Sequence, residues 1–408
     1  MATELSPDQK GQASLTFGEV IVQTRNNFPD PRFRPQVIHE TPQYHLYGID
    51  SHGYMTWVTA DGIGTKPELA ERLYHLTKDP KHFETLAFDT FAMIDGDVAR
   101  FGHFLLGIAQ IVDMNVATPE VVTALAKGAK NACDEGRFAL LNGETAELGY
   151  RVSGYGQTRV NWNAVGKYLI APNKLVLGTD LAPGQPLVAV REPRLRSNGL
   201  TAARSIIENS ALLKKSEVTT KTDFINKALS LLDINENLSL LMGHDFNEQV
   251  LIPWHKTYPE LTEELLKPST LYGKLMYEAL GGIDGEKKVD IVGAAHITGG
   301  GIPLKMQRLL EPLGLGATLD SVFPEPEGIK SLIDLVNQYD RNTGRQLIND
   351  RDASQQWNRG IGFVQAVRTM NDADEDIKIA KDLGYEAKVA GEITNKQQIE
   401  FRGHTWTY

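Results

Sequence analysis

The chain has 408 residues, 41% hydrophobic and 23% charged, which is enough apolar material for substantial cores and excludes a chain disordered throughout. Its 42 basic and 52 acidic residues leave a net charge of −10, which excludes a whole-protein basic field for nucleic acid. The single cysteine, Cys133, excludes an intrachain disulfide and any multi-cysteine zinc or iron–sulfur site.

At about 150 residues per domain, the length predicts two to three domains. The N-terminal run MATELSPDQKGQ is polar and lacks the apolar segment of a signal peptide. The longest apolar stretch, 104–112, is far too short to span a bilayer. The expectation is a soluble, cytoplasmic protein with neither a membrane nor a nucleic-acid partner.

In chain order, residues 26–43 carry four prolines with little periodicity and read as loop. A strand-like run, YMTWVTA, begins at Tyr54 and stops at Asp61-Gly62. Residues 83–101 read as helix and 104–112 as a buried strand. Thr118-Pro119-Glu120 opens a helix that Gly136 ends. A short strand, 138–141, runs into a polar turn, NGETAELG, and 164–171 reads as a further strand. The turn-rich 172–186 marks a boundary between domains 1–173 and 174–408. Beyond it come strand 187–190, helix 200–209 and an elaboration without motif at 211–267. Helix 271–280, strand 289–296, helix 302–311, strand 317–319, helix 328–339, strand 361–367, helix 374–383 and strand 386–393 complete the chain. This mixture predicts α+β or α/β domains.

The 37 glycines exceed the usual share of about 7%, and the informative ones fall in five turns. In Asp61-Gly62-Ile63-Gly64-Thr65-Lys66 the glycines permit close backbone approach to a phosphate, the lysine can supply a point charge and the aspartate can hold Mg²⁺. A solvated surface turn explains the same residues. Asp89, Asp95 and Asp97 lie on an otherwise apolar helix; they are either paired or metal-bound, or they form its exposed face. Asn142-Gly143-Glu144 follows a strand and offers another oxygen ligand, or merely opens a helix. Ser197-Asn198-Gly199 can present backbone N–H groups to an anion or act as an ordinary helix cap. His296, followed by Thr298-Gly299-Gly300-Gly301 between a strand and a helix, makes an anion-binding nest. A structural histidine at a strand end is the competing reading.

The ordered set ADGIGTK, IDGDVARFG, LNGETAELG, SNGLTAAR and HITGGGIP resembles the AIR synthetase family (PurM, the phosphoribosylformylglycinamidine cyclo-ligases). That family carries DGVGTK-like, VNDL-like, GGETAE, SNG and HxTGGG segments in this order. The resemblance implies a two-domain α+β fold whose N-terminal domain pairs in a homodimer beside a C-terminal α/β layer. It also implies ATP-dependent ring closure of formylglycinamidine ribonucleotide, a phosphorylated small-molecule substrate. By the same resemblance Asp61, Asp97 and Glu144 are Mg²⁺–ATP ligands and Lys66 is a phosphate-contacting cation. The SNG and TGGG turns are anion cradles, and His296 occupies the active-site histidine position.

The departures are specific. Gly96 stands in place of the Asn of VNDL, and Asn142 in place of the first Gly of GGETAE. The family's Asp-Tyr pair is replaced near Gly107 or Gln110, and the N-terminal glycines are missing. Competing expectations are another ATP-using member of the superfamily and a non-catalytic nucleotide-binding dimer.

Overall fold

A computed structural model describes residues 36–41, 44–51, 53–215, 258–344 and 347–408. The N-terminal stretch 1–35 and most of the expected elaboration, 216–257, lie outside the described residues.

The first sheet is built from β1 (Gln36–Thr41), β2 (Tyr44–Ser51), β3 (Tyr54–Gly62), β4 (Phe104–Met114), β5 (Ala139–Glu147) and β6 (Val160–Ile170), in the order β1-β2-β3-β6-β4-β5. Two expectations fail here. The end of the proline-rich stretch forms β1, because Pro35 and Pro42 bracket QVIHET instead of interrupting it. NGETAE is the second half of β5 and not a turn. It pairs in parallel with β4 from Ala109↔Asn142 to Met114↔Glu147, and as the sheet's edge it needs only one partner.

Helices α1 (Pro67–Thr77), α2 (Leu86–Ala99) and α3 (Pro119–Gly136) cover one face of this sheet. Pro119 at the first turn starts α3 as expected, but the left-handed residue that ends it is Arg137, not Gly136. Strand β6 alternates buried and exposed from Val160 to Gly166, so the sheet has an inner face on the helices and an outer face open to solvent.

After 172–186, the second sheet takes β7 (Pro186–Arg191), β8 (Ile291–His296), β9 (Gly316–Leu319), β10 (Ile361–Val367), β11 (Ala387–Thr394), β12 (Gln398–Phe401) and β13 (His404–Thr407), ordered β13-β12-β9-β11-β7-β10-β8. Strands β7, β8 and β10 are buried along almost their whole lengths; β7 and β10 are central, and β8 is an edge strand that is nonetheless covered. The accompanying helices are α4 (Leu200–Lys215), α5 (Pro259–Leu266), α6 (Gly273–Ala279), α7 (Gly301–Leu310), α8 (Glu327–Thr343), α9 (Asp350–Gln356) and α10 (Met370–Asp382). The architecture is α+β with two mixed sheets.

The cores do not divide where the sheets do. The cluster beneath the first sheet joins Phe91, Ile108 and Trp162 to Ala203 and Ile207 of α4, Leu265 of α5 and Leu332 of α8. Helices that follow the expected boundary therefore pack against the N-terminal unit and hold the two sheets together. Among the described residues no helix is long and apolar enough to cross a membrane.

Candidate functional site

Helix α2 crosses the join between the two sheets, and its three aspartates have three different fates. Asp89 is wholly buried. Its Oδ1 accepts from Lys66 Nζ at 2.7 Å, from Ser197 Oγ at 3.1 Å and from Ser269 Oγ at 2.5 Å. One carboxylate thus ties together the GIGTK turn, the SNG turn and the segment before α6. Asp95 is also wholly buried, and its Oδ2 accepts the N–H groups of Tyr272 and Gly273 at 2.7 Å each. Burial pushes the Asp95 carboxyl up to about 6 against those bonds. Only Asp97 opens to solvent, with 43% of its side chain exposed.

Asp97 Oδ1 lies 3.0 Å from His296 Nδ1, and His296 Nε2 lies 2.6 Å from an Nη2 of Arg196. A guanidinium only donates, so Nε2 is the acceptor and Nδ1 carries the proton that Asp97 receives. Burial first, and then the Arg196 charge, push His296 down to about 4, so the ring is neutral at pH 7. Burial alone would raise Asp97. The His296 hydrogen bond and the charges of Arg100, His296 and Lys305 outweigh it and hold the carboxyl below the usual range. Both ring nitrogens are engaged and the ring is fully buried, so His296 orients Asp97. Gly96 permits this approach, because a Cβ there would collide with the imidazole. The glycine that replaces the expected Asn is therefore a packing requirement of the histidine.

Strand β3 delivers Asp61 to the same place. In the row Asp61–Ala164–Gln110–Gly143, directly paired residues share a face, and buried Ala164 shows that this is the inner one, which the helices leave open at Asp61. Asp61 Oδ1 accepts its neighbour's N–H from Gly62 at 2.7 Å. Desolvation raises the Asp61 carboxyl, the Gly62 bond lowers it, and the like charge of Asp97 raises it again. The two carboxylates, both carried by the first unit, therefore act on each other.

The glycine turns close the site from the C-terminal side. Gly300 and Gly301 have φ of 91° and 60°; this left-handed pair turns the chain into the head of α7, the Gly301 N–H closes the turn on the Thr298 carbonyl at 2.9 Å, and among the described residues the N–H groups of Gly299 and Gly300 have no partner. The absent Cβ of Gly299 would meet only Asn198 Nδ2, at 3.8 Å, so the TGGG and SNG turns stand side by side. Asn198 Oδ1 is buried without a partner among the described residues. Gly64 and Thr65 border a cavity of about 600 Å³ that Arg72, Arg151 and Arg204 also line.

Two expected site residues stand elsewhere. Lys66 is wholly buried, held by Asp89 and by the carbonyl of Lys267 at 2.6 Å, so it is a structural cation and does not reach outward to a phosphate. Glu144 belongs to the row Gly62–Asn163–Ile111–Glu144 on the outer face, where Ile111 is 48% exposed. It lies three strand spacings, about 14 Å, from β3 and points away from Asp61. The trio Asp61, Asp97 and Glu144 is not assembled, and among the described residues no group of three or more His, Cys, Asp or Glu could hold a metal ion.

Conversely, sequence reasoning missed Arg196, Glu192 and Lys305. Arg196 immediately precedes SNG and pairs with Glu192 at 2.9 Å, both fully buried. The segment 192–196 is not helical, so their spacing gave no signal. Lys305 stands one turn into the helix that follows TGGG.

The family model described as AIR synthase related protein, C-terminal domain, matches residues 253–404. The phosphoribosylformylglycinamidine cyclo-ligase of Carboxydothermus hydrogenoformans is 28% identical over 362 residues, covering 86% of this chain and 84% of that one. A solved thiamine-monophosphate kinase from Stenotrophomonas maltophilia K279a superposes with a TM-score of 0.49 at 12% identity, covering 95% of both chains. A T. maritima PurL complexed with AMPPCP superposes with a TM-score of 0.45 at 12% identity, and this chain spans 43% of its length.

Proposed function

We propose that this chain, which belongs to the AIR synthase family as a divergent member, is an ATP-dependent cyclo-ligase that converts formylglycinamidine ribonucleotide to aminoimidazole ribonucleotide. The observation that carries this reading is the convergence of Asp61, Asp97 and His296 with two glycine turns at the heads of α4 and α7. Mg²⁺ is commonly bound through only one or two protein carboxylates, with phosphate and water completing its shell. Asp61 and Asp97 fit that requirement without Glu144.

Bound ATP and Mg²⁺ would turn a poor amide oxygen leaving group into a phosphate, so that a neighbouring amine can displace it and close the ring. The chain's own residues then have defined tasks. Asp61 and Asp97 would hold the cation. His296 keeps Asp97 ionised and aimed by donating its Nδ1 proton to it, and Arg196 fixes that tautomer. The N–H groups of Gly299, Gly300 and Ser197–Gly199 would donate to phosphate oxygens, that of Gly301 being taken by the Thr298 carbonyl. In the cavity beside Gly64 and Thr65, Arg72 and Arg204 pair with Glu68, and Arg151 is the cation that suits the phosphate of the substrate.

Glu144 on the outer face and the sequestered Lys66 favour one second reading, a homologue that binds nucleotide without turning it over. Complementation separates the two. The gene should restore growth of a purine auxotroph lacking the cyclo-ligase, and its Asp97→Asn variant should not. Failure of the unaltered gene, with the protein expressed and binding ATP, would favour the second reading.

The outer face of the first sheet exposes Val58, Ile111 and Val165, with Leu140 and Leu141 on the neighbouring edge strand. Exposed apolar residues on a sheet face, here interspersed with Asn163 and Lys167, suit a homodimer.

A further inference from the structure

With Lys66 sequestered, the phosphate-binding task falls to another cation. Lys305 lies four residues past Gly301 on α7, hence on the same helix face. Helical side chains lean toward the N-terminus and lie over the preceding turn, so its stem points back toward the TGGG nest. Lys305 is partly buried, and its charge acts on Asp97, Asp61 and His296. Burial pushes its ammonium down to about 8, with Asp97 and Asp61 pulling the other way and Arg308 and Arg100 adding to the push. Among the described residues it has neither a hydrogen bond nor an ion pair. A half-buried ammonium without a partner, beside an anion nest and two carboxylates, is arranged for a ligand bearing phosphate. Lys66 has the opposite environment: no exposure, and two acceptors already in contact.

We propose that Lys305, and not the lysine of the GIGTK turn, is the cation that binds the transferable phosphate in this chain, a proposal that rests on the nucleotide reading above. The Gly299 and Gly300 amides and the Lys305 ammonium bind the same anion, and Asp61 and Asp97 would hold the accompanying Mg²⁺.

Calorimetric titration of the full chain with tripolyphosphate and with ATP, each with Mg²⁺, tests this. Lys305→Met should weaken both ligands about 10- to 100-fold, the value of one charge-assisted hydrogen bond. Lys305→Arg should stay within about threefold of wild type, and the melting temperatures should match. Lys305→Gln carries the same expectation as Met should the Met variant fold poorly. Wild-type affinity for tripolyphosphate in Lys305→Met or Lys305→Gln overturns the proposal. A wild-type protein that binds tripolyphosphate but not ATP removes the nucleotide reading and leaves Lys305 to be judged by the same comparison. A protein that binds neither overturns both.

Discussion

Lys66 shows why a motif residue and its role must be separated. Two glycines before a lysine read naturally as a phosphate loop, yet Asp89, twenty-three residues on, takes the ammonium into the core. Removing one partner of a buried ion pair leaves the other charge uncompensated. Lys66→Met should therefore destabilise the fold by about 3–5 kcal/mol. Urea unfolding checks this; a loss below about 1 kcal/mol would mean that Asp89 finds other partners. At this scale the sequence nominated His296 and Asp97, which the structure brings into contact at 3.0 Å. Arg196 was hidden because its contact with His296 spans a hundred residues, and Lys305 because the charges that act on it, Asp97 and Asp61, lie more than two hundred residues away, which no local pattern encodes. Gly96 was visible only as a departure, and its reason is the His296 ring, two hundred residues away.

Among the elements, the strong helix signals at α3 and α7 came through because Pro and Gly punctuate them directly. The run NGETAE misled because its turn-forming residues sit on an exposed edge strand, where a single hydrogen-bonded neighbour suffices. The hairpin of β12 and β13 went unseen because each strand has only four residues. One element contact carries its own pH signature. Asp376 of α10 is buried and accepts from Gln365 Nε2 of β10 at 3.0 Å, while its Oδ2 has no partner among the described residues. Burial pushes this carboxyl up to about 7. The folded state therefore holds a proton that the unfolded state has lost, and the associated stability is present at low pH and fades as pH rises through about 7. The urea midpoint of wild type should fall between pH 5 and 8.5 by more than that of Asp376→Asn. Equal pH slopes would show that Asp376 titrates normally.

For the whole molecule, the composition argument excluded a nucleic-acid field and a disulfide scaffold, and the two mixed sheets agree with the α+β expectation. The sequence could not reveal that α4, α5 and α8 pack beneath the first sheet, since the join depends on which faces meet and not on any linker composition. The outer face of that sheet gives a prediction at this scale. Ile111→Asp should convert a homodimer to a monomer in light scattering, and a dimer that survives the charge would place the interface elsewhere. The central claim is the reaction. Purified protein supplied with ATP, Mg²⁺ and formylglycinamidine ribonucleotide should release one ADP and one phosphate for each aminoimidazole ribonucleotide formed. ATP bound by the protein with no imidazole product would contradict it.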